Sequence, residues 1–105
     1  MRIGCCLDLT KDARQGFAQA KQLRAVGFDF LEANLTSLAT IPQEEYEALK
    51  AAVNALGLPV PACNCMLPKE IRIVSPGVDE AALHEYVECA FSRAAGVGVE
   101  KAVLG

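Results

Sequence analysis

Four short apolar runs alternate with three helical patterns, and this alternation limits the fold more than any other feature of the sequence. The runs predict strands at Arg2–Leu7, Phe28–Leu35, Pro61–Met66 and Lys101–Gly105. Strands separated by helices form a parallel sheet with right-handed crossovers. The pattern fits either a small open sheet or the N-terminal part, β1 to β4, of a (β/α)8 TIM barrel with outer helices. Because no G-x-G-x-x-G motif follows the first run, we favour the barrel. Residues 1–105 are then one partial domain.

The first helical pattern predicts one helix that follows a polar turn and ends at Gly27. Thr10 is the expected N-cap, since a threonine side chain can accept a hydrogen bond from the first turn. Glycine is the usual residue just past a helix C-terminus. The apolar residues are spaced three and four apart and form one stripe, which consists of Ala13, Phe17, Ala20, Leu23 and Val26.

The second and third helices also carry start signals. A loop at Thr36–Ala39 leads to a capping box formed by Thr40 and Gln43, and Asp79 is the expected cap of the third helix. The residues expected to be buried are Tyr46, Leu49, Val53 and Leu56 on the second helix and Leu83, Val87, Ala90, Phe91 and Ala94 on the third.

The composition narrows the classes of partner. The chain is 52% hydrophobic with a mean hydropathy of +0.25, yet no apolar run approaches the roughly 20 residues of a membrane helix. The apolar excess therefore calls for burial in protein. A net charge of −3 with scattered basic residues argues against nucleic acid. The N-terminus reaches Asp8 too early for a secretory signal, so we expect a cytoplasmic protein.

Five cysteines are present, and four of them fall in predicted strands, at Cys5, Cys6, Cys63 and Cys65. Without a secretory signal they are not expected to form disulfides. Zinc sites prefer two to four intervening residues in turns, and the lone His84 lies in a predicted helix. We therefore interpret the cysteines as small buried hydrophobes and expect no metal site within this chain.

Polar side chains stand out at the ends of the second and third strands. Glu32 and Asn34 are two residues apart and so point to the same side of their strand. A charge in a buried strand is costly unless it is paired, and in α/β sheets such groups usually belong to an active site at the carboxyl ends of the strands. An edge strand with a solvated glutamate is the alternative. Asn64 lies near the tip of the third strand and offers both a donor and an acceptor.

A connection of twelve residues, Leu67–Val78, follows the third strand and is long for a βα loop. It carries Lys69 and Arg72, which could hold a substrate phosphate. The alternative is that both are ordinary solvated loop charges.

Three segments together carry a family resemblance: AVGFDFLEANLTSL, PACNCMLPKEIRIVSPGVD and the final KAVLG. They resemble the N-terminal half of the sugar phosphate isomerase/epimerase family, the xylose isomerase-like TIM barrels. The similarity spans essentially the whole chain and rests on a GFD-x-x-E signature in the second strand and an Asn followed by a Leu-Pro loop after the third. The endonuclease branch of this superfamily also takes histidine ligands from the third and fourth strands. At the tip of the third strand this chain has Asn64 and Cys65 and no histidine, which departs from that branch.

The resemblance implies an intact parent enzyme that moves a proton next to the carbonyl of a sugar or sugar phosphate. It also implies a divalent cation (manganese, zinc, magnesium or cobalt) whose ligands come mostly from strands five to eight. This chain would contribute substrate-binding residues, expected at Glu32, Asn34, Asn64, Cys65, Lys69 and Arg72. By itself it would lack the metal ligands and the base. It would need the missing C-terminal half or would self-associate. The rivals are a non-catalytic binding protein on the same scaffold and a small assembly domain.

Overall fold

A computed structural model describes residues 1–71, 74 and 76–103 of the chain. Within these residues, the strands form one parallel sheet in the order β1-β2-β3-β4. Their bounds are Gly4–Leu7, Phe30–Asn34, Ala62–Asn64 and Lys101–Ala102. The predicted order of strands and the parallel sheet are confirmed, although each strand is shorter than expected. The last two residues of the predicted fourth strand lie outside the described residues.

Within the described residues, five helices connect these strands, where three were expected. In chain order they are α1 (Leu9–Ala13), α2 (Ala18–Ala25), α3 (Leu35–Thr40), α4 (Gln43–Asn54) and α5 (Glu80–Gly96). Among the described residues, no helix is both long enough and apolar enough to cross a membrane.

The prediction of one helix between β1 and β2 was wrong, because the chain breaks between α1 and α2. Asp12 is buried, and its carboxylate accepts hydrogen bonds from the backbone N–H groups of Gln19 and Ala20, both at 3.0 Å. Gly16 and Phe17 have left-handed backbones, with φ of 67° and 58°. The aspartate thus starts a second helix after a tight turn, and the helical spacing of apolar residues does not reveal this break.

Two of the predicted caps were also wrong. Asp8, and not Thr10, caps α1, because its carboxylate accepts from the Lys11 N–H at 3.2 Å. The predicted loop Thr36–Ala39 is part of helix α3. Thr40 closes α3 instead of opening α4, since its hydroxyl donates to the Thr36 carbonyl at 2.8 Å.

The apolar stripe of α4 is confirmed, since Tyr46, Leu49, Val53 and Leu56 are all buried. The Asp79 cap of α5 is confirmed by a 3.0 Å hydrogen bond from the Ala82 N–H. The predicted burial of two residues was wrong: Val26 is 68% exposed and Phe91 is 42% exposed. Val26 lies just past the end of α2, and Phe91 follows Ala90, which already occupies the buried face of α5.

The helices cover one face of the sheet. Leu31, Ala33 and Cys63 are almost fully buried and belong to a single apolar cluster with residues from the helices. The alternating neighbours on β2, Phe30 and Glu32, are only half-buried. In a sheet with sequential strand order, right-handed crossovers place every helix on the same side. The opposite face of the sheet is therefore not covered by these helices.

Arg93 ties α5 to the end of α3. Its guanidinium donates to the backbone carbonyls of Leu38 and Ile41 at 2.9 and 2.7 Å. It also lies over the ring of Tyr46, 5.0 Å from the centroid. The Tyr46 hydroxyl in turn donates to the Arg93 carbonyl at 3.0 Å. These contacts hold α3 in place. Because α3 directly follows β2, they also hold the carboxyl end of β2.

Candidate functional site

The uncovered face of the sheet carries a row of three polar side chains, Cys6, Glu32 and Asn64, which we call the polar row. The Cys6 thiol donates to Glu32 Oε2 at 3.6 Å. The Asn64 amide donates to the Cys6 sulfur at 3.4 Å. The three side chains thus form an oriented chain of hydrogen bonds across strands β3, β1 and β2.

Strand register explains how these residues meet. Cys6 is the register partner of Glu32 on the neighbouring strand, and Asn64 is the partner of Asn34. Register partners point to the same face of a sheet. Ala62 lies beside Glu32 and adds only a methyl group to this face.

The carboxylate of Glu32 changes the acidity of its neighbour. Burial raises the pKa of the Cys6 thiol above its ordinary value, and the Glu32 charge and its hydrogen bond raise this pKa further. At neutral pH the sulfur therefore keeps its proton and donates it to the carboxylate. Burial, with a smaller contribution from the Glu32 charge, also raises the pKa of Cys63 on the opposite face.

Asn34 lies on the same face, but its side chain caps a helix. Its side-chain oxygen accepts from the Ser37 N–H at 3.1 Å and so caps helix α3. The Ser37 hydroxyl donates to Asp8 Oδ2 at 3.1 Å, which links the carboxyl ends of β1 and β2.

The remaining predicted site residues lie after β3. Cys65 is exposed and has a left-handed backbone with φ of 51°. Its carbonyl accepts from both the backbone N–H and the hydroxyl of Thr36, so Cys65 joins β3 to α3. Lys69 is exposed, and no hydrogen bond within the described part of the chain joins it to the polar row. Arg72 lies outside the described residues.

Sequence reasoning missed Cys6 as a member of the site. The expectation that the cysteines are buried hydrophobes holds for Cys63 but was wrong for Cys6, Cys65 and Cys89, which are exposed. A signal was present: Cys5 and Cys6 are adjacent in a strand, so only one of them can face the helices. Which one does so depends on the register with β2, and the sequence alone does not reveal it.

The side chains of the polar row determine which ligand groups this face of the sheet can bind. Among the residues that the structure describes, no group of three His, Cys, Asp or Glu side chains is placed to hold a metal ion. The polar row can instead accept from a ligand hydroxyl at Glu32 and donate or accept at Asn64.

Comparison of the chain with models of protein families and with curated protein sequences finds no match.

Proposed function

We propose that this chain is the N-terminal part of a (β/α)8 barrel enzyme that isomerises or epimerises a sugar or sugar phosphate. The observation that carries the proposal is the polar row on the uncovered face of a parallel sheet with sequential strand order. A doubly wound sheet reverses its strand order and carries helices on both faces. In a barrel, the helices lie outside and the substrate groups meet at the carboxyl ends of the strands.

In this proposal the polar row holds substrate hydroxyls. Isomerisation next to a carbonyl needs a base that removes a proton and an electrophile that stabilises the resulting enediolate. A divalent cation would supply the electrophile in the complete enzyme. Glu32, already engaged by the Cys6 thiol, would accept from one hydroxyl, and the Asn64 amide would position another. Neither is assigned as the catalytic base.

Titration of the isotope-labelled chain with aldoses, ketoses and their phosphates, followed by NMR, tests this role. We expect the side-chain amide signal of Asn64 and the backbone signals around Glu32 to shift. The variant Asn64→Ala should lose the response. Asn54→Ala, at an exposed position on the last turn of α4, is the matched control and should keep it. Shifts confined to residues on the helix face would overturn the assignment.

The open edges favour a second candidate, an assembly domain. Strands β1 and β4 each have one neighbour within the described sheet, so both edges can pair with another chain. Closing a barrel takes about eight strands, twice the number seen here. The partner would be the C-terminal half of the parent or a second copy of this chain, in the cytoplasm.

Light scattering and hydrogen exchange on the isolated chain test both candidates, because each leaves the edges of the sheet open. We expect a dimer, larger aggregates or unprotected amides on β1 and β4. A compact monomer in which the amides of both edge strands are fully protected would contradict both the half-barrel and the assembly domain.

A further inference from the structure

A surface cavity of about 320 Å³ lies near the carboxyl ends of β1 and β2, where α1 meets α3. We call it the rim cavity. It shares no residue with the polar row, and its polar lining residues are Asp8, Thr10, Lys11, Arg14, Ser37 and Thr40. Ligand pockets are usually lined mainly by apolar side chains. The composition of the rim cavity therefore favours a small, charged or strongly polar ligand.

The hydroxyl of Thr10 is the group in this cavity that the fold leaves unpaired. Thr10 is only 6% exposed, and among the residues that the structure describes its Oγ1 has no hydrogen-bond partner. The role that the sequence suggested for this hydroxyl, the capping of α1, belongs to Asp8. A buried polar group without a partner costs about 1–3 kcal/mol, so an acceptor that reached this hydroxyl would stabilise the protein.

Three other lining side chains are already engaged within the fold. Asp8 Oδ1 accepts from the Lys11 backbone N–H at 3.2 Å, and Asp8 Oδ2 accepts from the Ser37 hydroxyl at 3.1 Å. The Thr40 hydroxyl donates to the Thr36 carbonyl at 2.8 Å. Each oxygen of the Asp8 carboxylate therefore has a donor, which offsets part of its repulsion of an anion.

The side chains that remain to meet a ligand can all donate hydrogen bonds, and two of them are cations. Lys11 is exposed, and its ammonium group forms no ion pair within the described part of the chain. Arg14 contacts Glu45 through Nε and Nη2, at 3.3 and 3.2 Å, which leaves Nη1 for another acceptor. Together with the Thr10 hydroxyl, these cations offer the charge-assisted donors that bind phosphate oxygens.

We propose that the rim cavity binds a phosphate group, either free phosphate or the phosphate of a small ester. Thr10 donates to one phosphate oxygen, and Lys11 and Arg14 balance the charge. Glu45 opposes binding, because its carboxylate competes with the ligand for Arg14. Since the cavity lies outside the polar row, the outcome of the sugar titration does not decide this inference.

Titration of the isotope-labelled chain with inorganic phosphate at constant ionic strength, followed by NMR, tests the site. We expect saturable shifts of the backbone signals of residues 8–14 and 37–40. Thr10→Val should weaken binding about tenfold, the effect of losing one hydrogen bond to a charged group. Lys11→Gln should weaken it about twofold to fivefold, because this lysine is exposed. Glu45→Gln should strengthen binding, because it removes the competing carboxylate.

Two controls separate phosphate binding from general effects of charge and folding. Lys21→Gln removes the same charge from an exposed position on α2 and should leave the affinity unchanged. In phosphate-free buffer, Thr10→Val should resist urea at least as well as the wild type, because it removes an unpaired buried hydroxyl.

Glycerol 3-phosphate and glycerol identify the source of the phosphate group. Tighter binding of the ester than of inorganic phosphate indicates a phosphorylated ligand, and equal affinity indicates the free anion. The site is overturned if no saturable shifts occur, if glycerol binds as tightly as its phosphate, or if Lys11→Gln and Lys21→Gln lose equal affinity. Lower stability of Thr10→Val would show that the hydroxyl already has a partner, which also contradicts the site. A folded Glu45→Gln variant without tighter binding would exclude the role of Arg14.

Discussion

Removing the Arg93 guanidinium should destabilise the fold more than removing the exposed guanidinium of Arg14. Arg93 donates to the carbonyls of Leu38 and Ile41 at 2.9 and 2.7 Å and to Gln43 Oε1 at 3.2 Å. Hydrogen bonds to a charged group contribute about 1.5–3 kcal/mol each, and a cation–π contact such as that with Tyr46 about 0.5–1 kcal/mol. Since Arg93 is half-buried and water can replace part of these contacts, we expect Arg93→Ala to cost about 3 kcal/mol.

Urea unfolding followed by circular dichroism measures this cost. Arg93→Lys keeps the charge but replaces two guanidinium nitrogens, one on the Leu38 and Ile41 carbonyls and one on Gln43, with a single ammonium group, so it should recover about half of the loss. Arg14→Ala is the matched control, because Arg14 forms an exposed ion pair with Glu45 at 3.2 Å that should contribute about 0–1 kcal/mol. Equal losses for Arg93→Ala and Arg14→Ala would refute the role assigned to Arg93.

Two further predictions concern the polar row and the break between α1 and α2. Glu32→Gln should lower the Cys6 pKa, because it removes a neighbouring negative charge, and alkylation rates measured against pH would show the change. For the wild-type chain, the raised thiol pKa stabilises the fold below the ordinary value near 9.0, and this stability is lost as the pH rises through the folded pKa. An unchanged alkylation profile would exclude the Cys6–Glu32 contact. Asp12→Ala should lower the free energy of unfolding by about 1–2 kcal/mol and expose the amides of Gln19 and Ala20 to hydrogen exchange. If these amides stay as protected as in the wild type, Asp12 does not start α2.

The order of strands could be predicted because each strand is a short apolar run between amphipathic helices. The stripe of α4, with Tyr46 and Val53, follows the helical period without interruption. Asp79 is followed directly by a helical pattern, so its cap was predictable too. Local periodicity and local capping account for these successes.

The errors arise where a side chain bonds to a backbone group that periodicity does not report. Asp12 accepts from amides seven and eight residues ahead, which divides a stripe that looks continuous. Asn34 was expected as a site residue, yet its oxygen caps a helix where a loop was predicted. Cys6 joins the site only because β1 pairs with β2 in one register, and a shift of one residue would place Cys5 there.

The nucleotide sequence that follows the Gly105 codon tests the central proposal most directly. If the chain is the first part of a sugar isomerase barrel, the reading frame continues through four more strand–helix units. Carboxylates and histidines then end several of those strands, and the complete enzyme incorporates solvent deuterium next to the carbonyl of its sugar. A stop codon immediately after Gly105, or a continuation without strand-terminal carboxylates and histidines, would contradict the account.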